Sequence, residues 1–223
     1  MDYDFFAYLS RMKYIKRWAL MHSTTEENIM EHSLQVAEIA HAIALIKNKM
    51  FGGAVDEYKV MCLAVYHEAS EVITGDLPTP IKYFNSQINT AYKDLENLAS
   101  EKLIGKLPEE LKPYYREFIL ADKNCEEYKI MKAADRIAAY IKCVEEVKSG
   151  NKEFLKARDS IGKDIRAIND KAVKYFVAKI LPSFEKTLEN LRSFYWLKNC
   201  NSSLVITIGI PAYTYIALIT KHS

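Results

Sequence analysis

Glycine and proline are scarce in this chain, with seven and six occurrences among 223 residues. Both residues interrupt regular secondary structure, so their scarcity leaves long stretches free to continue as helix. Apolar residues recur every three or four positions, and alternating runs are few. The sequence therefore predicts an all-α helical bundle. We expect one domain over residues 1–195 and a non-helical C-terminal extension of unknown role over residues 196–223.

Cysteine is also sparse, and the four cysteines lie far apart with no Cys-x-x-Cys pair. This spacing excludes a zinc ribbon and argues against a disulfide framework. The first six residues are acidic and aromatic, and they lack the basic start and apolar run of a signal peptide. We therefore expect reduced thiols in a cytoplasmic protein.

No charge of one sign dominates, because 31 Lys and Arg residues nearly balance 29 Asp and Glu residues. Without a basic arm or an acidic tail, bulk electrostatics do not indicate a nucleic-acid polymer as partner. The apolar run over residues 204–219 is β-branched and contains a glycine and a proline. A membrane helix needs about 20 apolar residues, so we expect a strand-like extension there and no membrane span.

Capping residues and helix breakers predict where the helices lie. Asn28 and Glu31 fit the N-cap and N3 positions of a capping box, so a helix should begin near Asn28. One glycine and two prolines make residues 75–80 a loop. The other predicted helices cover residues 4–15, 56–72, 86–105, 108–121, 125–149, 152–168 and 171–194.

Two histidines and two carboxylates fall on predicted helices whose neighbouring positions are apolar. His32 begins a stripe that continues with aliphatic residues at 36, 39, 43 and 46. His67 shares a helical face with Val60 and Leu63 and is followed directly by Glu68, while Asp135 stands among alanines. Helix interiors rarely bury such groups without partners.

A single histidine on an apolar face is more often a core residue bonded to a backbone carbonyl than a ligand. Four such groups together change this interpretation, because each would lose several kcal/mol of hydration, roughly, and one divalent cation would compensate all of them. Nitrogen and oxygen donors together suit Mn, Fe, Co, Ni or Zn better than Ca. We predict one divalent metal held by His32, His67, Glu68 and Asp135.

Seven short stretches resemble the HD-domain metal-dependent phosphohydrolases, and among them the bacterial 5'-deoxynucleotidases. They are FAYLSR at 6–11, KRW at 16–18, EHSLQVA at 31–37, KMFGG at 49–53, YHEASE at 66–71, TGDLPTPIKYFN at 74–85 and KAAD at 132–135. The similarity runs from about residue 5 to about residue 190. The family pattern is a His, then a His-Asp pair, then a distant Asp, and this chain departs from it by having Glu68 in place of the first Asp.

The resemblance implies hydrolysis of deoxyribonucleoside 5'-monophosphates to deoxynucleoside and phosphate, with one divalent transition metal such as Co or Mn, by a homodimer. Glu71 would be the catalytic acid and base, Arg17 and Trp18 would bind and orient the phosphate, and Asp76 would accept a hydrogen bond from the 3'-hydroxyl. The complete substrate-binding set implied is Arg17, Trp18, His32, Glu68, Asp76, Leu77, Pro78, Thr79 and Asp135.

Two other interpretations remain open at this point. Glutamate at position 68 is one methylene longer than aspartate, which moves its oxygen by about one bond length. If the metal still binds, the chain is a metal enzyme. If it does not, the chain is a degenerate nucleotide-binding protein without catalysis. An HD-type hydrolase of triphosphates or signalling nucleotides is the other alternative, although the loop at residues 75–80 favours the deoxynucleotidase.

Overall fold

The structure is a computed structural model that describes residues 3–187, 190, 191, 207–210 and 213–216. Its α-helices are α1 (Phe5–Leu9), α2 (Ile29–Phe51), α3 (Glu57–Tyr66), α4 (Glu71–Thr74), α5 (Thr79–Lys82), α6 (Ser86–Ile104), α7 (Lys112–Ile119), α8 (Glu126–Lys148), α9 (Leu155–Ala167) and α10 (Lys171–Lys179). Short 3-10 helices cover Ser10–Tyr14, Lys152–Phe154 and Leu181–Glu185.

The core lies where the two long helices α2 and α8 pack against each other and against α3. Aliphatic side chains from all three helices fill it, among them Val36, Ile43, Leu63, Ile137 and Ile141, and none of these is exposed by more than 1%. Helix α10 closes the outer side of α2, and α9 packs on α8. The all-α prediction is confirmed, and the aliphatic stripe that follows His32 faces this core.

Helix α2 begins as the capping residues predicted. The side chain of Asn28 accepts hydrogen bonds from the backbone N–H groups of Met30 and Glu31, which satisfies two donors that a helix start leaves without partners. The helix ends at Gly52, whose φ of 69° is the left-handed conformation that glycine adopts easily. His32 is therefore fixed in the first turn of a well-bounded helix.

The prediction of one helix over residues 56–72 is wrong. Helix α3 ends at Tyr66, a turn occupies residues 67–70, and the short α4 follows. Within the turn the backbone bonds tighten to a spacing of three, from the Ala69 N–H to the Tyr66 carbonyl and from the Glu71 N–H to the Glu68 carbonyl. Ala69 is buried in a small cluster with Phe5, so tertiary packing redirects the chain at this point.

Other predicted helices are shorter than expected. The segment at 4–15 is α1 followed by a 3-10 helix, the segment at 108–121 is helical only over Lys112–Ile119, and the segment at 152–168 begins as 3-10 helix. Helix α10 ends at Lys179 rather than at 194, because Pro182 lacks the N–H that a continuing helix would use. Residues 192–194 lie outside the described residues.

The chain divides into two units, of which the first ends at Glu185 and the second begins at Lys186. Within the second unit, β1 (Thr207–Ile210) pairs antiparallel with β2 (Tyr213–Ile216), with Thr207 opposite Ile216. The rest of the predicted strand-like run at 204–219 lies outside the described residues. Among the described residues, no helix combines the length and the apolar character that crossing a membrane requires.

The loop of residues 15–28, which we call the N-terminal loop, is closed at its neck and anchored at its tip. At the neck, Lys16 and Asn28 form an antiparallel bridge. At the tip, the carboxylate of Glu146 on α8 accepts hydrogen bonds from Thr24 N (2.8 Å) and Thr25 N (3.1 Å). The Lys142 ammonium pairs with the same carboxylate at 2.6 Å and also donates to the Thr25 carbonyl.

We expect Glu146→Ala to lower the free energy of unfolding by about 3–5 kcal/mol, because it leaves Lys142 as an unpaired buried charge. The Glu146 side chain is only 1% exposed. Urea unfolding of the metal-free protein measures the effect, and the exposed neighbour Glu145→Ala is the control, with a change within about 0.5 kcal/mol. Equal losses for the two variants would contradict the anchoring role.

The stability that Glu146 contributes should also depend on pH. Burial alone would raise the pKa of Glu146, but hydrogen bonds from Lys142, Thr24, Asn151 and Thr25 outweigh it and hold the pKa below the ordinary value of 4.5. The unfolded chain therefore takes up a proton before the folded chain does, so this stabilisation is complete above about pH 4.5 and declines as the pH falls further.

Candidate metal and substrate site

Three parts of the core bring the four predicted metal ligands together. Helix α2 supplies His32, the turn after α3 supplies His67 and Glu68, and α8 supplies Asp135. One nitrogen or oxygen atom from each of the four lies within 4.8 Å of the corresponding atoms of the other three. We call this group the four-residue cluster. Its members are buried or half-buried, and the side chain of Asp135, expected to be buried, is 16% exposed.

His67 presents one ring nitrogen to the interior of the cluster. Its Nδ1 lies 2.7 Å from the Ala64 carbonyl and donates to it, which leaves Nε2 as the atom that faces the carboxylates. Nε2 lies 3.2 Å from Glu68 Oε1 and 3.8 Å from Asp135 Oδ1, yet it has no well-directed hydrogen bond among the described residues. A metal-binding histidine is typically held by a backbone carbonyl in this way.

His32 is fully buried and lies beside Asp135. Its Nε2 is 3.1 Å from Asp135 Oδ1, and its ring centroid is 5.4 Å from that of His67. Nδ1 lies 3.8 Å from Glu27 Oε1, beyond hydrogen-bonding distance. The two imidazoles therefore approach the same carboxylate from α2 and from the turn after α3.

Burial and mutual charge shift the pKa values within the cluster. Burial lowers the pKa of His32, whereas for His67 the charges of Glu68 and Asp135 outweigh burial and raise the pKa to about 9. The pKa values of both carboxylates are lowered, since the histidines outweigh the effect of burial, and for Asp135 Lys132 adds to this. Without a cation, a proton on His67 compensates part of the negative charge.

The residues present fit a divalent transition metal. Two imidazoles and two carboxylates are the mixed donor set that such ions prefer, and the buried Nε2 of His67 has no hydrogen-bond partner among the described residues. Glu68 reaches into the cluster although it is one methylene longer than the family Asp. The turn after Tyr66 gives His67 and Glu68 this convergence, where the sequence had predicted consecutive positions of a continuous helix.

Glu71 lies in α4, one turn after the ligands, and is buried. Burial and the negative charge of Glu68 raise its pKa to about 11, so the carboxyl group is protonated at neutral pH. Its Oε2 has no hydrogen-bond partner among the described residues. A protonated carboxyl group beside two ligands is suited to exchanging a proton with a reacting group.

Arg17 and Trp18 come from the N-terminal loop, and Arg17 reaches the cluster. Arg17 NH1 lies 3.9 Å from Glu68 Oε1. Trp18 packs against Phe154 with a centroid distance of 5.3 Å. Both donate to Glu27. This residue was not predicted, because it precedes a helix and belongs to no motif of its own.

Asp76 follows Gly75 in the loop between α4 and α5, where the Tyr92 hydroxyl lies 3.3 Å from the Gly75 carbonyl and donates to it. Burial raises the pKa of Asp76, the nearby Arg17 opposes this shift, and Glu68 adds to it, so Asp76 lies within the electrostatic reach of the site. Leu77 and Pro78 are half-buried and Thr79 is exposed. The contribution of these three to a pocket wall stays a prediction.

A cavity of about 250 Å³ adjoins the cluster and is lined by His67, Glu68, Lys82 and Lys132, among others. This volume is near the lower limit of small-molecule pockets. Lys132 pairs with Asp135 one helical turn away. Sequence reasoning missed Lys132, although its spacing of three residues from a predicted ligand would have indicated the pair.

A profile of the YfbR-like 5'-deoxynucleotidase family matches residues 4–184. A 5'-deoxynucleotidase from Vibrio cholerae is 48% identical over 188 residues, which span 84% of this chain and 97% of that protein. An HD-domain phosphohydrolase structure from Listeria innocua aligns with a TM-score of 0.72 and 26% identity, over 81% of this chain and 88% of that one.

The HD phosphohydrolase DatZ of cyanophage S-2L has been solved with dA and one catalytic Zn²⁺ ion. It aligns with a TM-score of 0.57 and 17% identity, over 81% of this chain and 96% of that one. At this identity the likeness shows the fold alone.

We expect chelator-treated protein to bind one equivalent of Co²⁺ or Mn²⁺, measured by isothermal titration calorimetry. His67→Ala should lower the affinity by more than the roughly 10–100-fold that loss of a supporting contact costs, because it removes a ligand itself. His41→Ala is the control, since His41 packs against Tyr58 on the outer part of α2. Unchanged binding by the His67 variant would rule the cluster out.

Proposed function

The chain belongs to the YfbR-like 5'-deoxynucleotidase family, and we propose that the four-residue cluster is the centre at which it hydrolyses deoxyribonucleoside 5'-monophosphates to deoxynucleoside and phosphate. One observation carries the assignment of the centre. Nitrogen and oxygen atoms of His32, His67, Glu68 and Asp135 converge within 4.8 Å, and the His67 ring is fixed so that Nε2 faces the other members.

A divalent cation held by these four residues would lower the pKa of water and neutralise charge on the phosphate. Co or Mn is the proposed ion, because both accept imidazole and carboxylate donors. Zn²⁺ accepts the same donors, and calorimetry with each ion distinguishes them.

Glu71 is the proposed catalytic acid and base. Burial and the nearby carboxylate of Glu68 raise the pKa of its carboxyl group, which favours the protonated form. From this position it can donate the proton to the 5' oxygen as the deoxynucleoside leaves and recover one from water afterwards. Its unpartnered Oε2 atom supports this role.

Arg17 and Trp18 are the proposed phosphate-binding residues. With NH1 3.9 Å from Glu68, the Arg17 guanidinium lies where a phosphate at the cluster would meet its paired donors. Trp18 lies next to Arg17 and shares the Glu27 carboxylate with it, and its proposed role is to orient the phosphate and limit the space around the sugar.

Asp76 is the proposed acceptor for the 3'-hydroxyl, and Leu77, Pro78 and Thr79 are the proposed wall beside it. Gly75, with a φ of 72°, lets the chain turn sharply just before Asp76. A tight fit around the sugar is the proposed reason for preferring a deoxyribose, since a 2'-hydroxyl needs additional space and a partner.

Cys62, Cys125 and Cys143 form no disulfide among the described residues, and Cys200 lies outside them. The cytoplasmic location and the homodimer stay predictions.

We expect purified protein with Co²⁺ or Mn²⁺ to release phosphate from deoxynucleoside monophosphates much faster than from ribonucleotides.

Glu71→Gln should lower kcat by about 10²–10⁴-fold while metal binding is retained, because only the proton transfer is lost. Exposed Glu109→Gln is the control.

Two outcomes would contradict the proposed function. Activity restored only by Glu68→Asp would identify a degenerate centre, and pyrophosphate or tripolyphosphate release from triphosphates would identify a different substrate class.

Asp76→Ala should lower kcat/KM for dAMP by about tenfold, the cost of one hydrogen bond to a charged group. The same variant should leave kcat/KM for 2',3'-dideoxy-AMP unchanged, because that substrate lacks the 3'-hydroxyl. Steady-state kinetics of both enzymes with both substrates measure the difference. An equal loss for the two substrates would instead assign Asp76 to the structure of its loop.

A further inference from the structure

Glu27 lies opposite Arg17 at the closed neck of the N-terminal loop. The Arg17 N–H donates to the Glu27 carbonyl at 2.9 Å, and the Ile29 N–H donates to the Ile15 carbonyl at 3.0 Å. These two backbone bonds bring together residues that are ten or more positions apart. They place the backbone of Glu27 directly opposite that of Arg17.

A single carboxylate oxygen of Glu27 binds both of the proposed phosphate-binding residues. Its Oε2 accepts from Trp18 Nε1 at 2.8 Å and from Arg17 Nε at 3.2 Å. The side chains of Arg17 and Glu27 are each only 12% exposed, so solvent screens this pair little. A charge-assisted contact of this kind orients a guanidinium as well as neutralising it.

The contact uses Nε of Arg17 and leaves its two terminal nitrogens as a pair. NH1 points toward the four-residue cluster, 3.9 Å from Glu68 Oε1, which is beyond hydrogen-bonding distance. A phosphate arriving between Arg17 and the cluster would therefore meet a guanidinium already turned toward it. Without Glu27, four rotatable side-chain bonds would have to be ordered on binding instead.

Trp18 has a backbone conformation that needs support. Its φ of 61° is positive, and it is the only described non-glycine residue with such a value. Bulky residues rarely adopt this conformation, and it persists only where the surroundings enforce it. The bond to Glu27 and the packing on Phe154 fix the indole from two sides.

We propose that Glu27 is a positioning residue that holds the Arg17 guanidinium and the Trp18 indole in the orientation that receives the substrate phosphate. This inference rests on the proposed function, in which Arg17 and Trp18 bind that phosphate. Glu27 acts through these two residues.

The test compares wild type with Glu27→Gln, Glu27→Asp, Arg17→Ala and the double variant Arg17→Ala/Glu27→Gln. Two competitive inhibitors of dAMP hydrolysis, inorganic phosphate and deoxyadenosine, report separately on the phosphate and nucleoside halves of the site. All assays use saturating metal, because Glu27 Oε1 lies 3.8 Å from His32 Nδ1 and metal affinity must not limit the result.

Glu27→Gln should raise KM for dAMP and Ki for phosphate about tenfold, the value of a hydrogen bond to a charged group, with a smaller effect on kcat. Ki for deoxyadenosine should rise by much less than Ki for phosphate, because of the two residues that Glu27 holds only Trp18 is proposed to adjoin the sugar. Glu27→Asp, which keeps the charge on a shorter side chain, should give a smaller change in the same direction. The double variant should bind phosphate more weakly than Arg17→Ala alone by less than the full Glu27→Gln loss, because without Arg17 the Glu27 carboxylate can act only through Trp18.

Glu26→Gln is the matched control. Glu26 is the adjacent residue, its side chain is 74% exposed, and it pairs with Lys16. All constants of this variant should stay within about twofold of wild type, as exposed ion pairs contribute little.

Different outcomes separate this inference from the proposed function. If Arg17→Ala leaves Ki for phosphate unchanged, the phosphate role of Arg17 is wrong and the inference about Glu27 is wrong with it. If Arg17→Ala weakens phosphate binding but Glu27→Gln does not, only the role of Glu27 is overturned. Additive losses in the double variant, or equal losses for phosphate and deoxyadenosine, also overturn it, since they indicate general damage to the loop.

Discussion

Two imidazoles and two carboxylates share one small volume in the middle of a helical bundle. The rest of the site depends on how the cost of burying these four polar groups together is compensated. Each group loses hydration on burial, and the cost of a buried charge is several kcal/mol, roughly, when it has no partner. The pKa shifts show the compensation, since the pKa of His67 is raised to about 9 while those of the carboxylates are lowered. Helices α2 and α8 supply His32 and Asp135, and the turn that follows α3 supplies His67 and Glu68.

Groups outside the cluster extend this arrangement. The Ala64 carbonyl orients His67, and Lys132 pairs with Asp135. The N-terminal loop places Arg17 beside Glu68, and the loop is itself held at its tip by the buried pair of Lys142 and Glu146. A buried ion pair on α8 therefore helps to determine where a phosphate-binding side chain lies, through the loop that joins them.

The sequence predicted those features whose cause is local. The Asn28 cap and the apolar stripe after His32 each follow from residues within one or two turns of each other. The loop predicted over residues 75–80 is correct at its start, but α5 already begins at Thr79, because the first turn of a helix tolerates a proline. The break after Tyr66 was missed because it depends on the packing of Ala69 with Phe5, far away in the sequence. The early end of α10, by contrast, could have been predicted from the sequence, because Pro182 lacks the N–H that a continuing helix would use.

The same distinction explains which site residues were found. His32, His67, Glu68 and Asp135 could be selected because polar groups on apolar faces are unusual in any helix. Glu27 stands in no such pattern, and its value comes from a loop closure that brings it to Arg17. No local property of residue 27 contains that information.

The two ends of the cluster lie far apart along the chain, because His32 and Asp135 are separated by 103 residues. A cation held between them would act as a cross-link between α2 and α8, and its binding energy would be shared with folding. Loss of the ion would then loosen the packing of the two longest helices as well as stopping catalysis. Metal supply in the cell would in this way govern how long the protein survives, in addition to how fast it works.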